Sequence, residues 1–244
     1  MTAAPVLLLD IGNSRLKWGL AHGRRLGECG AIVHDGDPAA ALRAAQLPDV
    51  SEVWIAHVTG EAHEAQLSAA VQQLYGCTPR YARSSARWRG LHNAYREPAR
   101  LGVDRWLALI AAWDAARAAL CVVDAGTALT VDCVDDGGRH LGGIIAGGLQ
   151  TQQHAVLGRT RFATRAEEAA YDGGLGRDTE ACVRQGAMLA CLGAIDRASA
   201  VAGQAARGFI CGGDAEILLP CLGPRWEHHP YLVLEGLLLI ADDR

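Results

Sequence analysis

The chain has 244 residues, half of them hydrophobic, with a mean hydropathy of +0.08 and a formal net charge of −4. A chain of this size buries roughly 70–75% of the surface that it exposes when unfolded, so its core needs no disulfide or metal staple. The charge gives no electrostatic footprint for nucleic acid, no apolar run approaches the ~20 residues of a membrane span, and the N-terminus has no export-type basic and apolar segments, which together predict a cytoplasmic protein.

In chain order, apolar runs at 6–9, 15–21 and 28–33 predict an antiparallel meander. The alanine-rich stretch 38–47 predicts a helix, and 53–58 a short strand. Residues 61–74 place Ala62, Ala65, Leu67, Ala70, Val71 and Leu74 at helical spacing. Residues 83–100, rich in arginine, aromatics and turn formers, read as loop. Residues 106–120 are apolar nearly all round, which predicts a buried helix. A second meander follows at 121–123, 129–134 and 140–145. Residues 147–165 carry glycine, glutamine and threonine without a clear period. A long helical pattern spans 179–206, a short strand 209–211 ends in Gly212-Gly213-Asp214, and 231–240 predicts a final apolar helix.

This order repeats once. Val6 to Lys17 reads VLLLDIGNSRLK and Leu120 to Val131 reads LCVVDAGTALTV. At a constant offset of 114, Asp10 aligns with Asp124, Gly12 with Gly126, Asn13 with Thr127, and, without a gap, Gly23 with Gly137 and Arg25 with Arg139. Each copy predicts a strand, a tight turn and a returning strand. Such a turn offers backbone N–H groups to a phosphate, and a nearby hydroxyl and carboxylate add phosphate and cation contacts. The repeat predicts two similar halves, 1–117 and 118–244, gripping one polyphosphate between them.

Several residues in this frame have chemistry to offer. The first turn lacks the spacing of a Walker loop and of a Rossmann turn. Asp10, at a strand end, suits magnesium held through water. Of 23 basic residues only Lys17 is a lysine; it is a chance survivor of an arginine bias or a compact point charge for a β- or γ-phosphate. Thr127 offers a hydroxyl to phosphate and Asp124 a carboxylate to a cation, although a plain hairpin carries such residues too. Asp104, in Gly102-Val103-Asp104-Arg105, is either a helix cap or a general base beside an arginine that orients an anionic substrate. Gly212-Gly213 is either a tight turn or a point of close approach for a nucleobase. The eight cysteines contain no C-x-x-C and read as reduced core residues rather than a zinc or disulfide framework, and the nine histidines are dispersed.

The segments VLLLDIGNSRLKWGL, GLHNAYREPARLGVDRWLALIAA, VVDAGTALTVDCV with LGGIIAGGL, GLGRDTEACVRQGA and ICGGDAEIL resemble, in this order and from about residue 6 to 240, the type III pantothenate kinases. The resemblance implies an α/β fold of two tandem ribonuclease-H-like (actin-like ATPase) halves, each a mixed sheet flanked by helices. It implies ATP-dependent phosphorylation of pantothenate, the first step towards coenzyme A. Asp10, Ile11, Gly12, Asn13, Ser14, Arg15, Leu16 and Lys17 match the ATP-phosphate segment, and Thr127 a further ATP contact. Tyr95, Gly102, Val103, Asp104 and Arg105 match pantothenate-contacting positions, with Asp104 as proton acceptor. Thr179 matches another pantothenate contact, one that serves the partner's site if the chain is a homodimer with interface active sites, as the family implies. Asp124 matches the ligand of a monovalent cation, potassium or ammonium, beside the magnesium that accompanies ATP. The chain departs from the family at Ala146-Gly147-Gly148, where Pro-Gly is usual, and at Cys211, often a threonine. Alternatives are a kinase of the same superfamily for another small hydroxylated substrate, or a non-catalytic regulatory protein on the same fold; neither nucleic acid nor membrane is expected as a partner.

Overall fold

The structure is a computed structural model that describes residues 4–58, 60–159, 171 and 174–243. The chain divides into two compact units, Met1–Ala115 with Tyr231–Arg244, and Ala116–Pro230.

The first unit opens with β1 (Val6–Ile11), β2 (Arg15–His22) and β3 (Arg25–Val33), the antiparallel meander. Then come α1 (Pro38–Ala44), β4 (Glu52–His57), α2 (Glu61–Tyr75) and the short β5 (Arg80–Tyr81). β4 and β5 add to the sheet in parallel, giving the order β3-β2-β1-β4-β5. Alternation along β1 divides its side chains between two faces. Leu7, Leu9 and Ile11 join Leu42 of α1 and Leu67, Ala70 and Val71 of α2 in one core, whereas Asp10 belongs to the opposite face. The expected loop at 83–100 holds a small hairpin, β6 (Arg87–Trp88) with β7 (Leu91–His92). It leads into α3 (Val103–Ala116), whose residues 105 to 113 are all buried.

In the second unit, β8 (Leu120–Ala125), β9 (Ala128–Val134) and β10 (His140–Gly147) form the second meander. α4 (Leu149–Leu157) and α5 (Thr179–Ser199) follow, then β11 (Arg207–Cys211), α6 (Ala215–Leu218) and β12 (Trp226–His228). The sheet order is β10-β9-β8-β11-β12, the same path as in the first unit. Part of 147–165 is therefore strand end and helix; residues 160–165 lie outside those described. α5 is shorter than the 179–206 pattern and ends in a 3-10 turn at Ala200–Ala202. One sheet face packs Val123, Val131 and Ile210 against Met188, Cys191 and Ile195 of α5. In each sheet a tryptophan covers a cross-strand glycine, Trp18 over Gly30 and Trp226 over Gly208, where a Cβ would fall within 2.7 Å and 2.4 Å of the ring.

The final helix α7 (Leu232–Asp242) belongs to the first unit and packs across β1, β2 and β4. Gly236 meets α3 so closely that a Cβ would lie 2.0 Å from the Leu107 carbonyl oxygen. Beyond the helix, Asp243 accepts from the Trp88 indole N–H and pairs with Arg89, tying the chain end to the small hairpin.

Candidate active site

The first turn joins β1 to β2. Gly12 N–H donates to the Arg15 carbonyl at 3.1 Å, leaving Asn13 and Ser14 at the tip. Asn13, Ser14 and Arg15 are exposed, while Ile11 and Leu16 are buried beneath them as a cross-strand pair. Asp10 and Lys17 are the next pair, so their side chains share a face at the turn's base. Asp10 is only 9% exposed. The 10–17 segment thus brings a carboxylate, an ammonium and a solvent-facing tip into one hairpin.

The second turn corrects the ungapped repeat. Gly126 N–H donates to the Ala128 carbonyl at 3.0 Å, and Asp124 pairs with Thr130. Measured from the pairing, Lys17 corresponds to Thr130 rather than to Val131, so β9 is offset from β2 by one residue less than the flanking strands are. The third strands return to the original offset, Ala31 pairing with Lys17 as Ile145 pairs with Thr130. One residue has left the first turn of the second copy and one has been added to its next turn. A further correspondence fixes which. His34 N–H donates to Ser14 O at 3.1 Å and Gly148 N–H donates to Thr127 O at 3.0 Å. Ser14, not Asn13, is therefore the counterpart of Thr127, hydroxyl for hydroxyl.

The carboxylate of Asp124 sits under the loop after β11. Gly212 has φ +96°, and a Cβ there would lie 2.3 Å from Ala125 O and 2.5 Å from Asp124 Oδ1. Asp214 N–H donates to Ala125 O at 2.9 Å. The close approach that Gly212 permits is thus to the chain's own strand end. Gly148 is equally constrained, since its Cβ would fall 1.9 Å from Gly126 O. Thr151 Oγ1 also donates to Thr127 O, at 2.6 Å, a support without periodic signal in the sequence.

The third cluster is at the start of α3. Asp104 stands in the first helical turn, and its Oδ1 accepts from the Arg105 backbone N–H at 2.8 Å. Gly102 makes room for that carboxylate: a Cβ there would lie 2.6 Å from Asp104 Oδ1. Val103 is buried and anchors the helix start. Arg105, 8% exposed, donates from Nη1 to the Tyr95 hydroxyl at 3.0 Å. Tyr95 is held in turn by Asn93, whose Oδ1 accepts the Tyr95 N–H and whose Nδ2 donates to the carbonyls of Ser85 and Pro98. Asn93 escaped the sequence reading because a loop asparagine has no spacing to betray it. Thr179 lies in the second unit as the first residue of α5, half-buried, next to the capping Asp178, whose Oδ1 accepts from Ala181 N–H.

The donor chemistry bears on which ions fit. Among the described residues no group of three or more His, Cys, Asp or Glu side chains could hold a metal. Asp10 and Asp124 are single carboxylates, hard oxygen donors suited to ions that take their other ligands from water, backbone carbonyls or phosphate. Magnesium at Asp10 and a monovalent cation at Asp124 both fit that description.

Twin mixed sheets of one topology, each with a glycine turn after its first strand, define the actin-like ATPase and sugar kinase class of fold. Two solved structures agree over nearly the whole chain. One, from Campylobacter jejuni and assigned to the Baf family of transcriptional activators, has TM-score 0.63 and 18% identity, covering 97% of this chain and 98% of that one. The other, the activator of 2-hydroxyisocaproyl-CoA dehydratase from Clostridium difficile with bound ADPNP, has TM-score 0.54 and 11% identity, covering 98% and 94%. The type III pantothenate kinase family model matches residues 6–200. The type III pantothenate kinase of Nitrosococcus oceani is 35% identical over 98% of this chain and 94% of its own. The chain belongs to the type III pantothenate kinase family, whose members phosphorylate pantothenate with ATP at the first step towards coenzyme A.

Proposed function

We propose that Asp104 is the proton acceptor of this pantothenate kinase, with Tyr95, Gly102, Val103 and Arg105 around the acceptor substrate. The observation that carries this reading is the linked set at the start of α3, in which Gly102 leaves room for the Asp104 carboxylate and buried Arg105 is tied to Tyr95. The Arg105 guanidinium complements a carboxylate-bearing substrate. Asp104 takes the proton of the substrate hydroxyl as its oxygen bonds to the γ-phosphorus. The bond from that phosphorus to the β–γ bridging oxygen breaks, and ADP leaves with the electron pair. Such a transfer depends mainly on positioning and charge stabilisation.

The 10–17 segment holds the ATP phosphates, Lys17 as a point charge and the tip through backbone N–H groups; Thr127 adds a hydroxyl in the second unit. Asp10 would hold magnesium and Asp124 potassium or ammonium, ions that supply positive charge to offset that of the phosphates. The two halves, divided near residue 117, are tandem copies, with the last helix returned to the first. The enzyme works in the cytoplasm as a homodimer, and Thr179 contacts the pantothenate of the partner subunit.

The test is Asp104→Asn, which keeps the shape and loses the base. The expected result is a folded protein whose kcat falls by roughly 10²–10⁴-fold while ATP binding persists. A folded variant with near-wild-type kcat removes the assignment.

A further inference from the structure

His34 follows β3 and is 6% exposed, yet neither the repeat nor the family motifs point to it. Its ring Nε2 lies 2.9 Å from the Gly12 carbonyl oxygen. A carbonyl only accepts, so Nε2 carries the proton and donates. The same residue's backbone N–H donates to the Ser14 carbonyl. One residue therefore ties the turn on both sides of Asn13. The other ring nitrogen, Nδ1, is buried with no hydrogen-bond partner among the described residues. An orphaned buried acceptor is costly, and an apolar side chain would avoid it. The imidazole is thus retained for what Nε2 does.

We propose that His34 is a positioning residue for ATP, holding the Gly12 carbonyl so that the Asn13 N–H is aimed at a phosphate. The warrant is peptide planarity. Gly12 C=O and Asn13 N–H belong to one trans peptide and point in opposite directions, so fixing the first fixes the second. The Ser14 carbonyl and Arg15 N–H are coupled in the same way. The second copy supports the idea independently. At the corresponding place Gly148 closes on Gly126 through backbone alone, and Thr151 adds the hydrogen bond to the turn. Both turns are braced from the end of the third strand, but only the first uses a side chain at that position.

The inference rests on the reading of 10–17 as the ATP-phosphate segment, and the experiment separates the two. Steady-state kinetics with ATP and pantothenate varied in turn compare H34Q, H34N, H34F and K17A. The glutamine amide reaches the Nε2 position and can donate to Gly12; asparagine is too short, and phenylalanine fills the space without a donor. Loss of one such hydrogen bond should raise the KM for ATP roughly three- to tenfold in H34N and H34F, with the KM for pantothenate and kcat near wild type. H34Q should restore the KM for ATP to within about twofold of wild type. If H34Q behaves like whichever of H34N and H34F folds, or if the two KM values rise together, the positioning role is wrong. If K17A leaves the KM for ATP unchanged, the reading of the segment itself fails.

Discussion

Gly148 and His34 stand at one place in two copies of the same unit and show how a single position can be constrained in opposite ways. Gly148 is required because its Cβ would collide with Gly126 O at 1.9 Å, a backbone atom that cannot swing aside. Gly148→Ala must therefore displace the second turn. It should destabilise the protein by about 3 kcal/mol or more and depress activity, as read by thermal unfolding and initial rates; an alanine variant with unchanged stability would show that the turn has room to move. The residues in the turns were visible from sequence because Asp-x-Gly recurs, followed each time by a small amide or hydroxyl residue. The one-residue shift between turns was not, because a deletion in one turn and an insertion in the next leave the flanking strands at the same offset. Only the pairing of Asp10 with Lys17 and of Asp124 with Thr130 exposes it. His34, Asn93 and Thr151 act through a few individual hydrogen bonds, which leave no periodic trace in a sequence.

Among elements, the long ones were legible and the short ones were not. α2, α3 and α7 carry enough apolar residues to define themselves, and each meander opens on a continuous apolar run. β5, β6, β7 and β12 have two or three residues each, too few for a period. α4 was obscured by polar residues: only Leu149 of its nine positions is buried. α7 depends on its glycine. Gly236→Ala should wedge α7 from α3, cost about 1–3 kcal/mol and lower the melting temperature; no change would mean the helices pack less closely than the 2.0 Å approach implies. The cysteines divide by burial, even within α5. Cys121, Cys133, Cys191 and Cys211 are buried in the second unit's sheet and α5, whereas Cys182 and Cys221 are exposed. Burial, reinforced by the Asp214 carboxylate, pushes the Cys191 thiol up to about 11. The thiolate is the reactive form, so raising the pKa removes it at neutral pH. Iodoacetamide at pH 8 should modify Cys182 and Cys221 and spare the buried four, as mass spectrometry of the folded protein would read; early labelling of Cys191 would contradict the packing around α5.

At the scale of the whole molecule, the two units follow one path through their sheets, and duplication with later divergence accounts for what each has kept. Both retain an aspartate before the turn. The first has the lysine and the Asp104 cluster, the second the glycine-braced turn and the loop over Asp124. The proposed homodimer predicts a mass near twice 25.8 kDa by light scattering after gel filtration, and a monomer with full activity would remove the partner's share in the site. The most direct measurement is ADP release from ATP and magnesium with and without pantothenate, in potassium and then in sodium. The account predicts turnover that requires pantothenate and is faster in potassium than in sodium. Folded protein that releases ADP equally without pantothenate, or not at all in either salt, would contradict it.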